Sequence, residues 1–578
     1  MKEHIKMELR DNGFNGNWRD YLIEKGVENP EDFLKADSAY QYDPEPTDFF
    51  NMKEAINLTK DYIKGHKKFG IVVDQDFDGY ASSGMMYRLL KNEGADVVLI
   101  SGNRKIHGID TLRQDILMDY DIDLLFIPDG GVNDYDSIQN LIAHDIQVIV
   151  LDHHLINEPD KVNNLGAYMV SSQNPNNTRT NENLTGAGMV AQFIIGFYGH
   201  IDTVSQVLMA LGQIADVSDT SDIYIRGCVI RGLEHINEHP FIKAFELEEP
   251  VYQSTIGWNV SPLINAVSRF GTLENRIDIV KALSATLSEE KDEVVEKRKK
   301  NKETGKFDKV GILVNQYDKA HDMAKKVKSE QEKEMNKTMK EIQWLIEPKK
   351  NNVAVALIPL DKNSAVTGLI ANKLQSKYSQ PVLVGRNVNS HFWGSLRSPG
   401  QFPFSTWAND TGLITAIGHE QAAGANFDIN LVSDIKTVSK ELDFNNHPRQ
   451  VDVIFDKYVD TNLINRINEK EDLFGGVVNK PLVGIKNLTI DKTHINLKKS
   501  MLSFNLAGIQ FVMFKAENII DYIQYETGFN SELHLDIVAD VSQTSWGKIM
   551  PQLIIQDIAI STKKADKKEP LSFDNFEF

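Results

Sequence analysis

The chain has 578 residues, 41% of them hydrophobic and 25% charged, with 37 Gly and 18 Pro, an ordinary globular balance that excludes collagen-like and low-complexity classes. The 63 Lys and Arg against 82 Asp and Glu give a net charge of −19, which opposes indiscriminate coating of nucleic acid but leaves room for a local basic groove or a site where metal cations carry the attraction. The single cysteine, Cys228, excludes a disulfide framework and a Cys-rich zinc module, and no apolar run is of membrane-spanning length, so a cytoplasmic protein without a membrane partner is expected.

Residues 1–54 are polar and aromatic with little periodicity and read as an N-terminal appendage. From Gly70 short apolar runs alternate with amphipathic segments: GIVVD (70–74), DVVLI (96–100), DLLFI (123–127) and QVIVLD (147–152), with a helix predicted over ASSGMMYRLLKNEG (81–94). Strands of this length joined by helical crossovers imply a mostly parallel sheet covered on both faces. The helix predicted in VSQVLMALGQIADVSD (204–219) aligns Val204, Val207, Leu208, Leu211 and Ile214 on one face and runs into an acidic cluster. From about 287 to 350 the chain is rich in Lys and Glu, including 295–306 and 333–350, and long solvated helices connecting two lobes are predicted. A second mixed α/β region starts at Asn352, with a helix predicted over 367–379 and a strand over 381–385. After about residue 446 an all-β texture follows, in which Leu533, Leu535, Ile537, Ala539 and Val541 alternate inward.

Three apolar runs end in acidic or histidine residues: Asp74, Asp76 and Asp78 after the first, Asp129 in PDGG after the third, and Asp152, His153 and His154 after the fourth. The carboxyl ends of parallel strands line the ligand crevice of such a sheet, so these residues converge there. Asp216 joins them from the end of the 204–219 helix. This many carboxylates would repel strongly if unpaired, and a pair of divalent metals resolves the repulsion. Oxygen ligands with one or two imidazoles suit manganese or magnesium. Two such ions can activate water and stabilise both oxygens of a phosphoester displacement.

DQDFDG, PDGG, LDHH and IADVSD, in this order, resemble the motifs of the DHH phosphoesterase superfamily. GWNVSPLINAVSRFG (257–271) is similar to a motif of RecJ exonucleases, with Leu263 and Ser268 where that family tends to have Arg and Gly. GSLRS (394–398) and GHEQAAG (418–424) resemble the DHH-associated domain, with Ile417 where a glycine pair is usual, and 533–560 is similar to the end of the RecJ oligonucleotide-binding fold. The resemblance implies an α/β multidomain chain: a parallel-sheet DHH domain (55–245), a connecting helical region (246–350), a mixed α/β DHH-associated domain (351–445), a C-terminal β-barrel of OB-fold type (446–562) and a flexible acidic tail (563–578).

The same resemblance implies residue roles. Asp74 binds one metal and Asp76 the other, Asp129 bridges both, and His153 and Asp216 complete the ligand set of the second ion, manganese being preferred and magnesium possible. His154 contacts the scissile phosphate, Asp152 orients the histidine pair, and Asp78 fixes its loop. Arg104, Ser395 and Arg397 are the candidates for the 5′-phosphate, with Asn265, Arg269 and His419 along the substrate. The implied activity is 5′→3′ digestion of single-stranded DNA to mononucleotides in repair, recombination or replication. A narrow passage between lobes is expected to exclude duplexes, and the tail is a candidate contact for replication or recombination proteins. The Lys-rich segments and Phe504, Phe514 and Trp546 are candidate strand-binding groups whose plainer reading is a solvated face and core. The alternatives are a DHH phosphodiesterase of short RNA or cyclic dinucleotides and a non-catalytic replication scaffold.

Overall fold

The computed structural model describes residues 8–35, 45–102, 108–291, 293–300, 307–399, 402–442 and 449–561, apart from 111, 163, 477, 499, 515, 527–531 and 545–548. The chain forms two compact units, Leu22–Glu332 with Asp472–Asn479, and Met1–Tyr21 with Lys333–Glu471 and Lys480–Phe578.

The first unit is built on five parallel strands. Helix α1 (Met52–Lys64) precedes β1 (Lys68–Val72), α2 (Phe77–Asn92) and β2 (Asp96–Ile100). Then come α3 (Arg113–Asp119), β3 (Leu124–Pro128), α4 (Tyr135–Ile142), β4 (Gln147–Asp152) and β5 (Tyr168–Ser171). The order in the sheet is β2-β1-β3-β4-β5, every neighbour pair being parallel. Side chains alternate strictly across it. Phe69, Ile71, Leu124, Phe126, Ile149 and Leu151 face one core, and Val72, Leu125, Ile127, Val148 and Val150 face another. Both faces are therefore covered, which is why these runs are apolar throughout instead of alternating with polar residues. The first core is completed by α2, α5 (Gly186–Tyr198), α6 (Thr203–Ala215), α7 (Ile223–Glu234), α8 (Ser261–Phe270) and α9 (Leu273–Leu283). The chain leaves β1 on one side for β2 and on the other for β3. The crevice where a doubly wound sheet binds ligands thus opens between the ends of β1 and β3.

The Lys-rich segment departs from the helical expectation. Glu293–Lys300 and Phe307–Val314 are strands β6 and β7, paired antiparallel from Glu293↔Val314 to Lys300↔Phe307. Val294, Val295, Val310, Ile312 and Val314 explain the preference, since β-branched residues favour extended backbone however many lysines lie between them. Helix follows only in α10 (Gln316–Thr338), and the 333–350 segment already turns to strand at β8 (Gln343–Ile346).

The second unit holds two sheets. The six-stranded one contains β8, β9 (Ala354–Leu357), β10 (Val382–Val388), β11 (His391–Arg397), β12 (Thr415–His419) and β13 (Ala422–Asp428), in the order β12-β13-β11-β10-β9-β8, with helix α11 (Thr367–Tyr378) between β9 and β10. The other comprises β14 (Val453–Asp456), β15 (Leu482–Asp491), β16 (Asn496–Lys498), β17 (Met501–Leu506), β18 (Ile509–Phe514), β19 (Glu532–Gln543) and β20 (Pro551–Ser561), in the order β14-β15-β19-β20-β18-β17-β16. Leu533, Leu535, Ile537, Ala539 and Val541 of β19 are all buried. The region is not purely β: the amphipathic Thr461–Asn468 is a helix that buries Leu463, Ile464 and Ile467. Near the N-terminus Leu9–Asp11 pairs in parallel with Arg449–Val451.

Candidate functional site

The acidic cluster forms at the switch point. Asp74 follows β1, and Asp76 caps α2, accepting from Gly79 N at 3.0 Å. Asp129 follows β3 with φ +61°, a conformation that aspartate tolerates better than most residues, and its amide donates to Leu151 O at 2.9 Å. Asp152, the last residue of β4, is fully buried. Its Oδ2 accepts from Val132 N at 3.0 Å, and its Oδ1 accepts from His153 N at 2.7 Å, His154 N at 3.2 Å and His154 Nδ1 at 2.7 Å. His153 Nε2 lies 3.2 Å from Asp129 Oδ1 and 3.9 Å from Asp216 Oδ2, Asp216 being the C-cap of α6.

Two groups of ligand atoms result, each drawn together within 4.8 Å: Asp74, Asp76 and Asp129, and Asp129, Asp152, His153 and His154. Asp129 belongs to both. Burial, followed by the charges of Asp78, Asp76, Asp74 and Asp152, pushes its carboxyl well above the usual range. Burial also resists ionisation of Asp152, but the His154 hydrogen bond and the nearby imidazoles hold it below the usual range. That same hydrogen bond raises His154 to about 9 against the opposing effect of burial. Crowded carboxylates with an oxygen and imidazole donor set fit a hard divalent cation, whose charge would reverse the repulsion at Asp129.

Asp78 stands apart from both groups. It accepts from Thr185 Oγ1 at 3.0 Å, Gly186 N at 2.8 Å and Ala187 N at 3.1 Å, so it anchors the first turn of α2 to the start of α5. Burial, then the charges of Asp216 and Asp76, pushes it up to about 8. Sequence reasoning missed the glycines that make this packing possible. A Cβ at Gly186 would lie 2.3 Å from Asp129 Cβ, one at Gly79 2.6 Å from Asp74 Cβ, and one at Gly212 2.2 Å from Asp78 Oδ1. Gly79 follows the acidic triplet directly, and the TGAG run (185–188) was a visible signal of close approach.

The remaining candidates lie elsewhere. Asn265 and the exposed Arg269 are on α8, outside both ligand groups. Arg104 and Trp546 lie outside the described residues. Ser395 and Arg397 belong to β11 of the second unit, and His419 ends β12. In the sheet Arg397 is opposite Ala422, which is opposite His419, so all three expected side chains share one face. Gly368, in the first turn of α11, borders them: a Cβ there would be 3.2 Å from Arg397 Nη2 and 3.6 Å from Ser395 Oγ. Phe504 stacks on Phe511 in the core at 4.5 Å, whereas Phe514 is exposed.

Residues 68–213 match the DHH family, N-terminal domain. The chain is 27% identical to YorK, an SPbeta prophage-derived protein of Bacillus subtilis (strain 168) provisionally named a single-strand DNA-specific exonuclease, over 94% of this chain and 96% of that one. It is 23% identical to the single-stranded-DNA-specific exonuclease RecJ of the same bacterium, over 93% of this chain and 67% of the relative. Among solved structures, RecJ of Thermus thermophilus in complex with Mn2+ superposes with a TM-score of 0.64 at 17% identity, covering 96% of this chain and 80% of that one.

Proposed function

This chain is a DHH-family protein of the RecJ type, and from that premise we propose that it is a metal-dependent exonuclease that digests single-stranded DNA from the 5′ end to mononucleotides. The observation that carries the reading is Asp129, shared between two groups of metal-ligand atoms at the switch point of the sheet. In this reading Asp74, Asp76, Asp129, His153 and Asp216 hold two divalent ions, manganese preferred and magnesium possible. When bound, the ions supply activated water and neutralise charge on the phosphodiester. Asp152 fixes the His154 ring through Nδ1, which leaves Nε2 to donate to a phosphate oxygen of the substrate. The Asp152 hydrogen bond raises His154 and favours a proton on its ring, and a charge-assisted donor is stronger than a neutral one.

Ser395, Arg397 and His419 take the terminal phosphate beside the first turn of α11, a favourable place for an anion. Arg104, outside the described residues, keeps its proposed role as a 5′-phosphate contact, and Asn265 and Arg269 contact the strand. The seven-stranded sheet is read as an OB-fold-type module for the single strand. Action in DNA repair, recombination or replication in the cytoplasm follows from this reading, and among the described residues no helix is long and apolar enough to cross a membrane.

The test is digestion of internally labelled single strands, 5′-phosphorylated or 3′-phosphorylated, with manganese. Stepwise shortening from the 5′ end is expected. No shortening from either end, by folded protein with bound metal, would contradict the proposal.

A further inference from the structure

Helix α6 closes in a pattern that ordinarily calls for glycine. The amide of Val217 donates to Ile214 O at 3.3 Å and that of Ser218 to Gln213 O at 3.0 Å, the pairing of a helix end that turns through one left-handed residue. That residue is Val217, at φ +55°. A β-branched residue is among the poorest occupants of this conformation, whereas glycine or asparagine adopts it readily. Nor does packing explain the choice, because Val217 is 64% exposed. What distinguishes the position is its neighbour Asp216, 3.9 Å from His153. In the same way Leu155 follows His154 in the chain. It is 76% exposed, and its carbonyl accepts from Asn133 Nδ2 at 2.9 Å. Two exposed aliphatic residues therefore adjoin cluster residues in the chain while contributing little to the core.

We propose that Val217, together with Leu155, contacts the sugar and base of the nucleotide whose phosphodiester is cleaved. The inference rests on the exonuclease reading above. Metal ligands and cationic groups recognise only the phosphate of a nucleotide. The apolar faces of its sugar and base need an apolar partner, and aliphatic groups held one residue from Asp216 and from His154 supply it without reading base identity. Strained backbone persists where surrounding structure over-determines it and function uses it, and here the buried Ser218 and the two amide hydrogen bonds back to α6 hold the turn.

The test compares Val217→Gly, Val217→Ala and Leu155→Ala with the wild-type chain. Val217→Gly both relieves the strained φ and removes the side chain, so a melting temperature equal to or above wild type is expected. Manganese affinity should be unchanged. KM for a 5′-phosphorylated single strand should rise roughly fivefold to tenfold, as for loss of a small apolar contact, with kcat altered far less. Val217→Ala and Leu155→Ala should raise KM in the same direction. A substrate whose terminal nucleotide lacks its base should raise KM for the wild type but add little to Val217→Gly. A lower melting temperature with unchanged KM would show that the valine serves the fold. Manganese affinity falling in step with KM would show that it acts through Asp216. Either result overturns the inference while sparing the exonuclease reading, whereas absence of hydrolysis by the wild-type chain would overturn both.

Discussion

Asp129 shows how much of the site was visible in single residues and how much was not. Its place after an apolar run, before two glycines, pointed to a strand end in a crevice. Its partners did not follow from that run, because Asp74 and His153 reach it only through the order of the strands. Less visible still was the requirement that α5 approach Asp129 with no side chain between them. Gly186 meets it, and nothing in the spacing of the acids encodes it. Gly186→Ala would place a Cβ 2.3 Å from Asp129 Cβ and disturb an amide that holds Asp78. Manganese affinity is expected to fall by about tenfold to a hundredfold, the usual cost of disturbing the support of a metal ligand. A calorimetric manganese titration checks it, and wild-type affinity in a folded Gly186→Ala variant would contradict it.

At the scale of elements, periodicity served where one physical force dominated. The strands of the parallel sheet are apolar because both faces are buried, and their bounds fall within a few residues of the apolar runs. The β6-β7 hairpin was misread because lysine and glutamate dominate its composition, while the few valines and isoleucines decide its backbone. A local hydrogen-bond network shows a similar dependence on context. His239 is buried, its Nδ1 accepts from Phe241 N at 3.2 Å, and its Nε2 donates to Leu283 O at 2.8 Å, which ties a short helix to the end of α9. Burial lowers its pKa to about 4, so the neutral ring is favoured in the folded state. The unfolded chain takes up a proton below its ordinary 6.5, and the folded chain resists until about 4. The contribution is therefore present above pH 6.5 and is lost as pH falls from 6.5 to 4, by at most about 3 kcal/mol. His239→Gln keeps the donor but cannot titrate. Between pH 7 and 4.5 it should lose less stability than the wild-type chain in denaturant melts, and equal losses would refute this account of His239.

On the scale of the whole molecule, a chain of net charge −19 is expected to act on a polyanion. Long-range repulsion is tolerable if cations held by the buried carboxylates reverse the sign where the phosphodiester must come. The order of the motifs pointed to such a site. Composition alone could not reveal it, because a carboxylate in the cluster counts the same as one on the surface. Metal binding also couples to stability: manganese at about a hundred times its dissociation constant should stabilise the folded chain by about 2.7 kcal/mol per site. The most direct measurement is a manganese titration of the full chain and of Asp129→Asn, with hydrolysis of a 5′-phosphorylated single strand followed in the same samples. Two ions should bind to the wild type and fewer to the variant, with hydrolysis reduced at least about a hundredfold. Two ions and undiminished hydrolysis in Asp129→Asn, or wild-type hydrolysis that persists in chelator, would contradict a bridging role for Asp129 between two metals.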